Sequence, residues 1–379
     1  MNEALPAYAQ AALKAELLAA GVSGTIYALV MPETEAALAR VVDGCDRNAL
    51  LGDPAALDEA RRLHWFDRYH EPWTQKQDAF HEEYFDRWLD WAAPVVAVDG
   101  AAFPFRYPTA GASEGIYKLM AEHAAAMRAA GTEPSVHLFD GEYEGFPAFA
   151  AALAIPVIRH RRDDWADIGA GMPMGAQFWI SQPSAIDGQV WPHFADFLTH
   201  MVDAAPHVAV IPDLTYVGSV AREYRIPLDF PNVPAFVISH SKPFGGYYLR
   251  VGGVFARRES QSLFGNRWFK NLQSLAWGVE MMGRHDVFAL PRRYRPVQEA
   301  ACAEAAERLG IAGLSPADVI LLATAPPPVA PSPLIASVLR GGGSDRVVRL
   351  CLTPLMTVMI DPAMAPAMAA TLAATPGAA

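Results

Sequence analysis

Cysteine is scarce in this chain. Its three residues, Cys45, Cys302 and Cys351, stand far apart and without CxxC spacing. Such spacing offers neither a disulfide framework nor a cysteine-ligated metal, and it reads as reduced, mostly buried thiols of a cytoplasmic protein. Charge is modest too: 19% of residues are charged and the formal net charge is -11. A surplus of that sign argues against nucleic acid or an anionic membrane surface as a general partner. Long hydrophobic runs are missing as well. The longest, 146–158, is interrupted by Pro147 and Pro156 and is too short to span a bilayer. The first six residues lack the basic-then-apolar pattern of a signal peptide. Histidines are scattered (His123, His137, His160, His200, His207, His240), and His81-Glu82-Glu83-Tyr84 lacks the second histidine of a zinc helix, so no metal is expected.

What the chain does have is length and apolar content. Its 379 residues, 52% of them apolar, suit a soluble globular enzyme of two domains. Residues 1 to about 95 read as helical and irregular, with helix-type apolar spacing over 33–42 and 55–65. Between 65 and 91 aromatics crowd together: Trp65, Phe66, Tyr69, Trp73, Phe80, Tyr84, Phe85, Trp88 and Trp91. Core packing or a subunit interface is the expectation for them. From about 105 the texture changes. Short apolar runs at 135–140, 155–160, 176–181, 208–213, 235–240 and 249–256 alternate with helical stretches. That alternation predicts a mostly parallel sheet covered by helices on both faces, with ligands at the carboxyl ends of its strands. Tyr143, Gln182, Asp213, Tyr216, Ser239 and Lys242 all lie just after such runs.

Farther on, 258–283 reads as helix, 290–294 as a break and 296–309 as a long helix. A small second domain is expected beyond it: a strand at 319–324, a Pro-rich loop at 326–333, a helix at 334–339, a glycine turn at 341–343 and a strand at 347–352. The Ala- and Met-rich tail from 362 is expected to start as a helix.

The polar residues carry the chemistry. Lys242 sits among hydroxyls and glycines between two apolar runs, with Arg250 eight residues on. A lysine so placed suits a Schiff base with an aldehyde, the hydroxyls and guanidinium holding a phosphate; a loop lysine capping a strand end is the bland alternative. Gly111-Ala112-Ser113-Glu114-Gly115 opens a helix, with Ser113 suited to its N-cap. Small residues at a helix start also expose amides to a phosphate. Asp213, after an apolar run, suits pairing with a protonated ring nitrogen, and Tyr216 suits the ring hydroxyl. Tyr143, after the run ending at Asp140, suits stacking on a flat ring. Arg349 interrupts the apolar run 347–352 and must emerge at an edge or fork onto a carboxylate.

In their order, these stretches resemble the fold-type I pyridoxal-phosphate enzymes, in particular the class I/II aminotransferases, over about 100–360. The resemblance implies an α/β fold: a large domain with a mostly parallel seven-stranded sheet flanked by helices, and a smaller α+β domain. Residues 1–60 and 290–379 would contribute the small domain and 61–289 the large one. It implies pyridoxal 5'-phosphate as cofactor, an amino acid as substrate and a homodimer. Gly111, Ala112, Ser113, Ser239 and Arg250 would hold the phosphate, Tyr143 would stack on the ring, and Asp213 and Tyr216 would meet its nitrogen and O3'. Lys242 would form the Schiff base, and Arg349 would take the substrate α-carboxylate. One position departs from the family. Ala185 stands where an O3'-binding asparagine is usual, so a donor is missing unless Gln182 or another group replaces it. Loss of that donor favours an imine that keeps its proton to higher pH. It also opens a second expectation, a lyase, cyclase or synthase on the same scaffold.

Overall fold

The computed structural model describes residues 7–43 and 78–364. Helices α1 (Ala7–Ala19), α2 (Pro32–Asp43) and α3 (Asp78–Ala92) precede the main sheet. The predicted helix at 55–65 and the aromatics from Trp65 to Trp73 lie outside the described residues. Tyr84, Phe85, Trp88 and Trp91 of α3 are buried core, as the aromatic crowding suggested.

Seven strands form the main sheet: β1 (Phe105–Thr109), β2 (Ser135–Phe139), β3 (Val157–His160), β4 (Ala176–Ser181), β5 (Ala209–Asp213), β6 (Ala235–Ser239) and β7 (Gly252–Ala256). Their spatial order is β1-β7-β6-β5-β4-β2-β3, and all pairings are parallel except those of β7. Six of the strands coincide with the six apolar runs, β4 over the whole run and the others trimmed at one end. β1 was not among those runs. It contains Pro108 and lies at the sheet edge, where a residue without an N–H costs little.

Alternate strand residues serve two cores, because successive side chains point to opposite faces. Trp179, Ile211 and Val237 pack with Ile116 and Met120 of α4 (Ala112–Ala129). Phe178, Val210 and Phe236 face the other core with Trp88 of α3 and with Phe194 and Phe197 of α6 (Phe194–Ala204). Each of these fully buried side chains contributes roughly 1.5–3 kcal/mol. The short helix α5 (Gly145–Ala152) lies between β2 and β3.

Two expectations fail after β7. The stretch 258–283 is not one helix: a 3-10 turn at Phe264–Arg267 precedes α7 (Leu272–Arg284), which starts where the Asn271 side chain accepts from Ser274 N at 3.1 Å. Nor is 290–294 a break, since α8 runs unbroken over Ala289–Leu309. Pro291 falls in its first turn, where backbone N–H groups have no helical partner to lose.

A second sheet, fully antiparallel, follows in the order β8-β9-β11-β10: β8 (Ser315–Pro316), β9 (Leu322–Ala325), β10 (Leu339–Arg340) and β11 (Val347–Cys351). The strand expected at 319–324 is shifted, and the helix expected at 334–339 is the shorter α9 (Pro333–Ser337), capped by Ser332. After α10 (Thr353–Ile360), the expected tail helix begins only as a 3-10 turn at Pro362–Met364. No described helix is long and apolar enough to cross a membrane.

Candidate functional site

Lys242 lies three residues beyond the end of β6, in the turn that leads to β7. Its Nζ donates to the Ile26 carbonyl at 2.6 Å and sits 5.9 Å from the Tyr247 ring centre. Burial pulls the amine down to about 8, and the Arg349 and Arg250 charges push in the same direction. An amine at that value is neutral in roughly a fifth of molecules at about pH 7.4, and the neutral form is the one a nucleophile requires.

Beside it the chain builds an anion cradle. Gly111, at φ 84, is the residue before α4, so Ser113 is not the N-cap the sequence suggested. Ser113 sits in the first turn instead, its Oγ 3.2 Å from Tyr143 Oη. Arg250 folds across the helix start: its Nη2 donates to the Ala110 carbonyl at 2.6 Å, and a Cβ on Gly111 would lie 3.1 Å from that nitrogen. Ser239 and Ser241 join their hydroxyls at 3.0 Å at the end of β6. The approach depends on Gly252, where a Cβ would come within 2.9 Å of Gly111 Cα and 2.5 Å of the Ile238 carbonyl. Helix amides, one guanidinium and two hydroxyls form a donor set that fits a phosphate.

Asp213 closes β5 and is 4% exposed. Its Oδ1 accepts from Thr215 N at 3.0 Å and Thr215 Oγ1 at 2.5 Å. Burial raises its carboxyl to about 6 against those two bonds. Tyr216 is buried nearby, its phenol pushed well above the usual range by burial, with the charges of Arg349 and Asp213 also acting on it. Tyr143 meets Ser113 through its hydroxyl, and the charges of Asp213 and Arg250 both act on it. A pyridine ring would fit this donor set, with the Asp213 carboxylate as partner for its nitrogen and the Tyr143 ring for its face.

The loop after β4 holds the position that departs from the family. Gln182 is held in place by Trp191: one N–H of its Nε2 donates to the Trp191 carbonyl at 3.1 Å and its Oε1 accepts from Trp191 N at 3.2 Å, which leaves one amide N–H as a donor. Ala185 contributes only backbone. Its N–H donates to Ser181 Oγ at 2.6 Å, and its carbonyl accepts from Arg349 Nη1.

Arg349, in the middle of β11, is 1% exposed and forks inward rather than emerging at an edge. Besides Ala185, it reaches the Gly24 carbonyl at 3.2 Å and Glu144 Oε1 at 3.4 Å through Nη2. Lys242, Asp213, Tyr216, Tyr143, Arg250 and Arg349 are therefore drawn into one region by strand ends of the main sheet and a strand of the second.

Sequence reading missed four contributors. Glu142 is 4% exposed and accepts from Ser181 N at 3.0 Å, Ser181 Oγ at 2.6 Å and Tyr143 N at 3.2 Å. Burial first, and then the Asp213 charge, push its carboxyl up to about 7. Glu144 and Arg340 pair at 2.6 Å at the edge of the site. The segment carrying Gly24 and Ile26 lends backbone carbonyls, anchored by the pairing of Ser23 with Cys351. Only the Gly-Glu-Tyr-Glu-Gly run around Tyr143 held a signal for the two acids; backbone carbonyls have none.

No family model matches the sequence, and no curated protein matches it significantly. Solved structures do match in three dimensions. A probable N-succinyldiaminopimelate aminotransferase from Thermus thermophilus aligns at TM-score 0.58 and 19% identity, over 92% of this chain and 96% of its own. A PLP-bound C–S lyase from Staphylococcus hominis aligns at 0.57 and 14%, over 78% and 82%. An Escherichia coli protein with a methionine aminotransferase function aligns at 0.52 and 14%, over 74% and 88%. The chain thus has the fold of fold-type I pyridoxal-phosphate enzymes.

Proposed function

We propose that this protein is a pyridoxal-phosphate-dependent enzyme acting on an amino acid, with transamination as its reaction. The observation that carries the reading is the buried Lys242 amine, lowered to about 8, in one region with Asp213, Arg250 and Arg349. The fold is compatible with it, and so is the donor set around Gly111.

Pyridoxal phosphate, when bound, supplies an aldehyde for an amine and a pyridine ring that withdraws electrons from the substrate α-carbon. The amides of Ala112 and Ser113, the Ser239 hydroxyl and Arg250 would hold its phosphate. Tyr143 would pack on the ring face, Asp213 would keep the ring nitrogen protonated, and Tyr216 would donate to the ring oxygen. Lys242, once released by the substrate amine, would act as general base on the α-proton and return it to the other end of the reacting system. Arg349 would fix the α-carboxylate so that this proton faces Lys242. The homodimer is part of the proposal, as is a small domain built from 1–60 and 290–379 beside a large one at 61–289.

The test is an absorbance spectrum of the purified protein with added pyridoxal phosphate, before and after a panel of amino acids, for the wild type and Lys242→Ala. A visible band that requires Lys242 and that amino acids bleach, with release of a 2-oxo acid, is the expected result. A protein that shows no such band defeats the reading. A specific observation favours a second reading: Ala185 offers only backbone where the family has an asparagine side chain for the ring oxygen, a change compatible with elimination or replacement chemistry. Ammonia released together with the 2-oxo acid would decide for it.

A further inference from the structure

Two guanidinium groups meet at the edge of this site, each held by oxygens of the chain itself. Arg340 Nη2 donates to Glu144 Oε1 at 2.6 Å and reaches the Gly24 carbonyl at 3.5 Å. Arg349 Nη2 lies 3.4 Å from the same carboxylate oxygen and 3.2 Å from the same carbonyl. Two oxygens from distant segments thus bridge one pair of nitrogens, much as the two oxygens of a single carboxylate would.

Two further facts separate this cluster from an ordinary ion pair. Arg340 Nε and Arg349 Nε are buried and have no hydrogen-bond partner among the described residues. For Arg349, at 1% exposure, an unmet donor is costly unless a ligand atom uses it. Glu144 is the opposite case: its side chain is 59% exposed, so it can turn out into water with little loss.

Resting on the amino-acid-binding reading above, we propose that Glu144 is a displaceable internal counter-anion, seated where a ligand carboxylate belongs between Arg340 and Arg349. A ligand carboxylate binds by exchange with it, which makes Arg340 a second recognition residue and Glu144 a specificity determinant. Charge balance favours exchange over simple addition, because one anion replaces another and neither guanidinium is left bare. The tethered competitor acts at an effective concentration of the order of millimolar. Simple carboxylates are therefore held weakly, and selection falls on what the rest of the ligand can add.

The test is calorimetric titration of the full chain with butyrate, and with butyramide as its uncharged control, with and without added pyridoxal phosphate. Glu144→Gln removes the competing charge and should bind butyrate about three- to tenfold more tightly than wild type, leaving butyramide unchanged. Arg340→Gln should weaken butyrate binding. A Glu144 that merely braces the fold predicts a lower melting temperature and no gain in butyrate affinity; that outcome, or weaker binding by Glu144→Gln, overturns the proposal. Glu144→Ala must shift affinity in the same direction, which keeps the test decisive if the glutamine variant folds poorly. Because the titration reads the arginines directly, its failure is distinct from absence of the Lys242-dependent band.

Discussion

The two ends of the site are built differently. At the phosphate end, Gly111, Ser239, Lys242 and Arg250 come from short stretches that close strands or open a helix, and each stretch is readable in isolation. At the carboxylate end, Arg349 comes from the second sheet, Glu144 from the turn before α5, Arg340 from β10 and Gly24 from the segment after α1. Long-range contacts join the pieces at both ends, but only at the first is each piece marked by its own local sequence. A site of this kind can keep its cofactor cradle while its ligand end drifts, since only the latter depends on how two sheets meet.

Substitutions that strike one end at a time sharpen the contrast. The largest effect should come from Arg250→Gln, which removes a charged donor from the cradle. One such hydrogen bond contributes about 1.5–3 kcal/mol, so affinity for pyridoxal phosphate should fall roughly 10- to 100-fold in an equilibrium titration. Arg340→Gln, at the far end, should leave that affinity alone. An equal loss in both variants would erase the distinction.

The pH dependence of loading is the next effect. The Lys242 amine, depressed to about 8 by burial, is protonated below that value and cannot attack an aldehyde. The initial rate of pyridoxal-phosphate capture, followed by stopped-flow absorbance, should rise about tenfold per pH unit below 8 and level off above it. A rise continuing to pH 10 would show an amine in solvent.

Glu142→Gln tests the join between the two ends and should have the smallest effect on pyridoxal-phosphate affinity, its signature lying in stability instead. Its folded carboxyl, near 7, holds a proton more tightly than the unfolded one, near 4.5. The native state therefore binds more protons in between, and stability falls as pH rises from about 4.5 to 7, by on the order of 3 kcal/mol at most. The glutamine variant should show a shallower decline in melting temperature over that window. Parallel curves would place the carboxylate's titration elsewhere.

How much of this was legible beforehand follows the same division. The inner strands β2, β4, β5, β6 and β7 announced themselves as apolar runs because strands covered on both faces are largely apolar. β1 did not, since an edge strand with Pro108 lacks that texture. Pro291 was misread as a break because a proline in the first turn of a helix has no helical N–H to lose; the same helix also runs on past Pro296. Ser113 looked like a cap, and Gly111 took the place because its φ of 84 suits glycine. Gln182 looked like a spare donor, and the tie of its amide to Trp191 through one N–H and the oxygen could not be read from the sequence.

By itself, the order of residues determined which side chains stand at strand ends, because strand and helix periodicity are local and fall on contiguous residues. Tertiary structure alone decided that Glu144 would lie between Arg340 and Arg349, that Ile26 would offer its carbonyl to Lys242, and that Glu142 would be buried beside Asp213. Those outcomes depend on distance in space between segments far apart in the chain, and on burial, which turns an ordinary carboxylate or amine into one of shifted proton affinity.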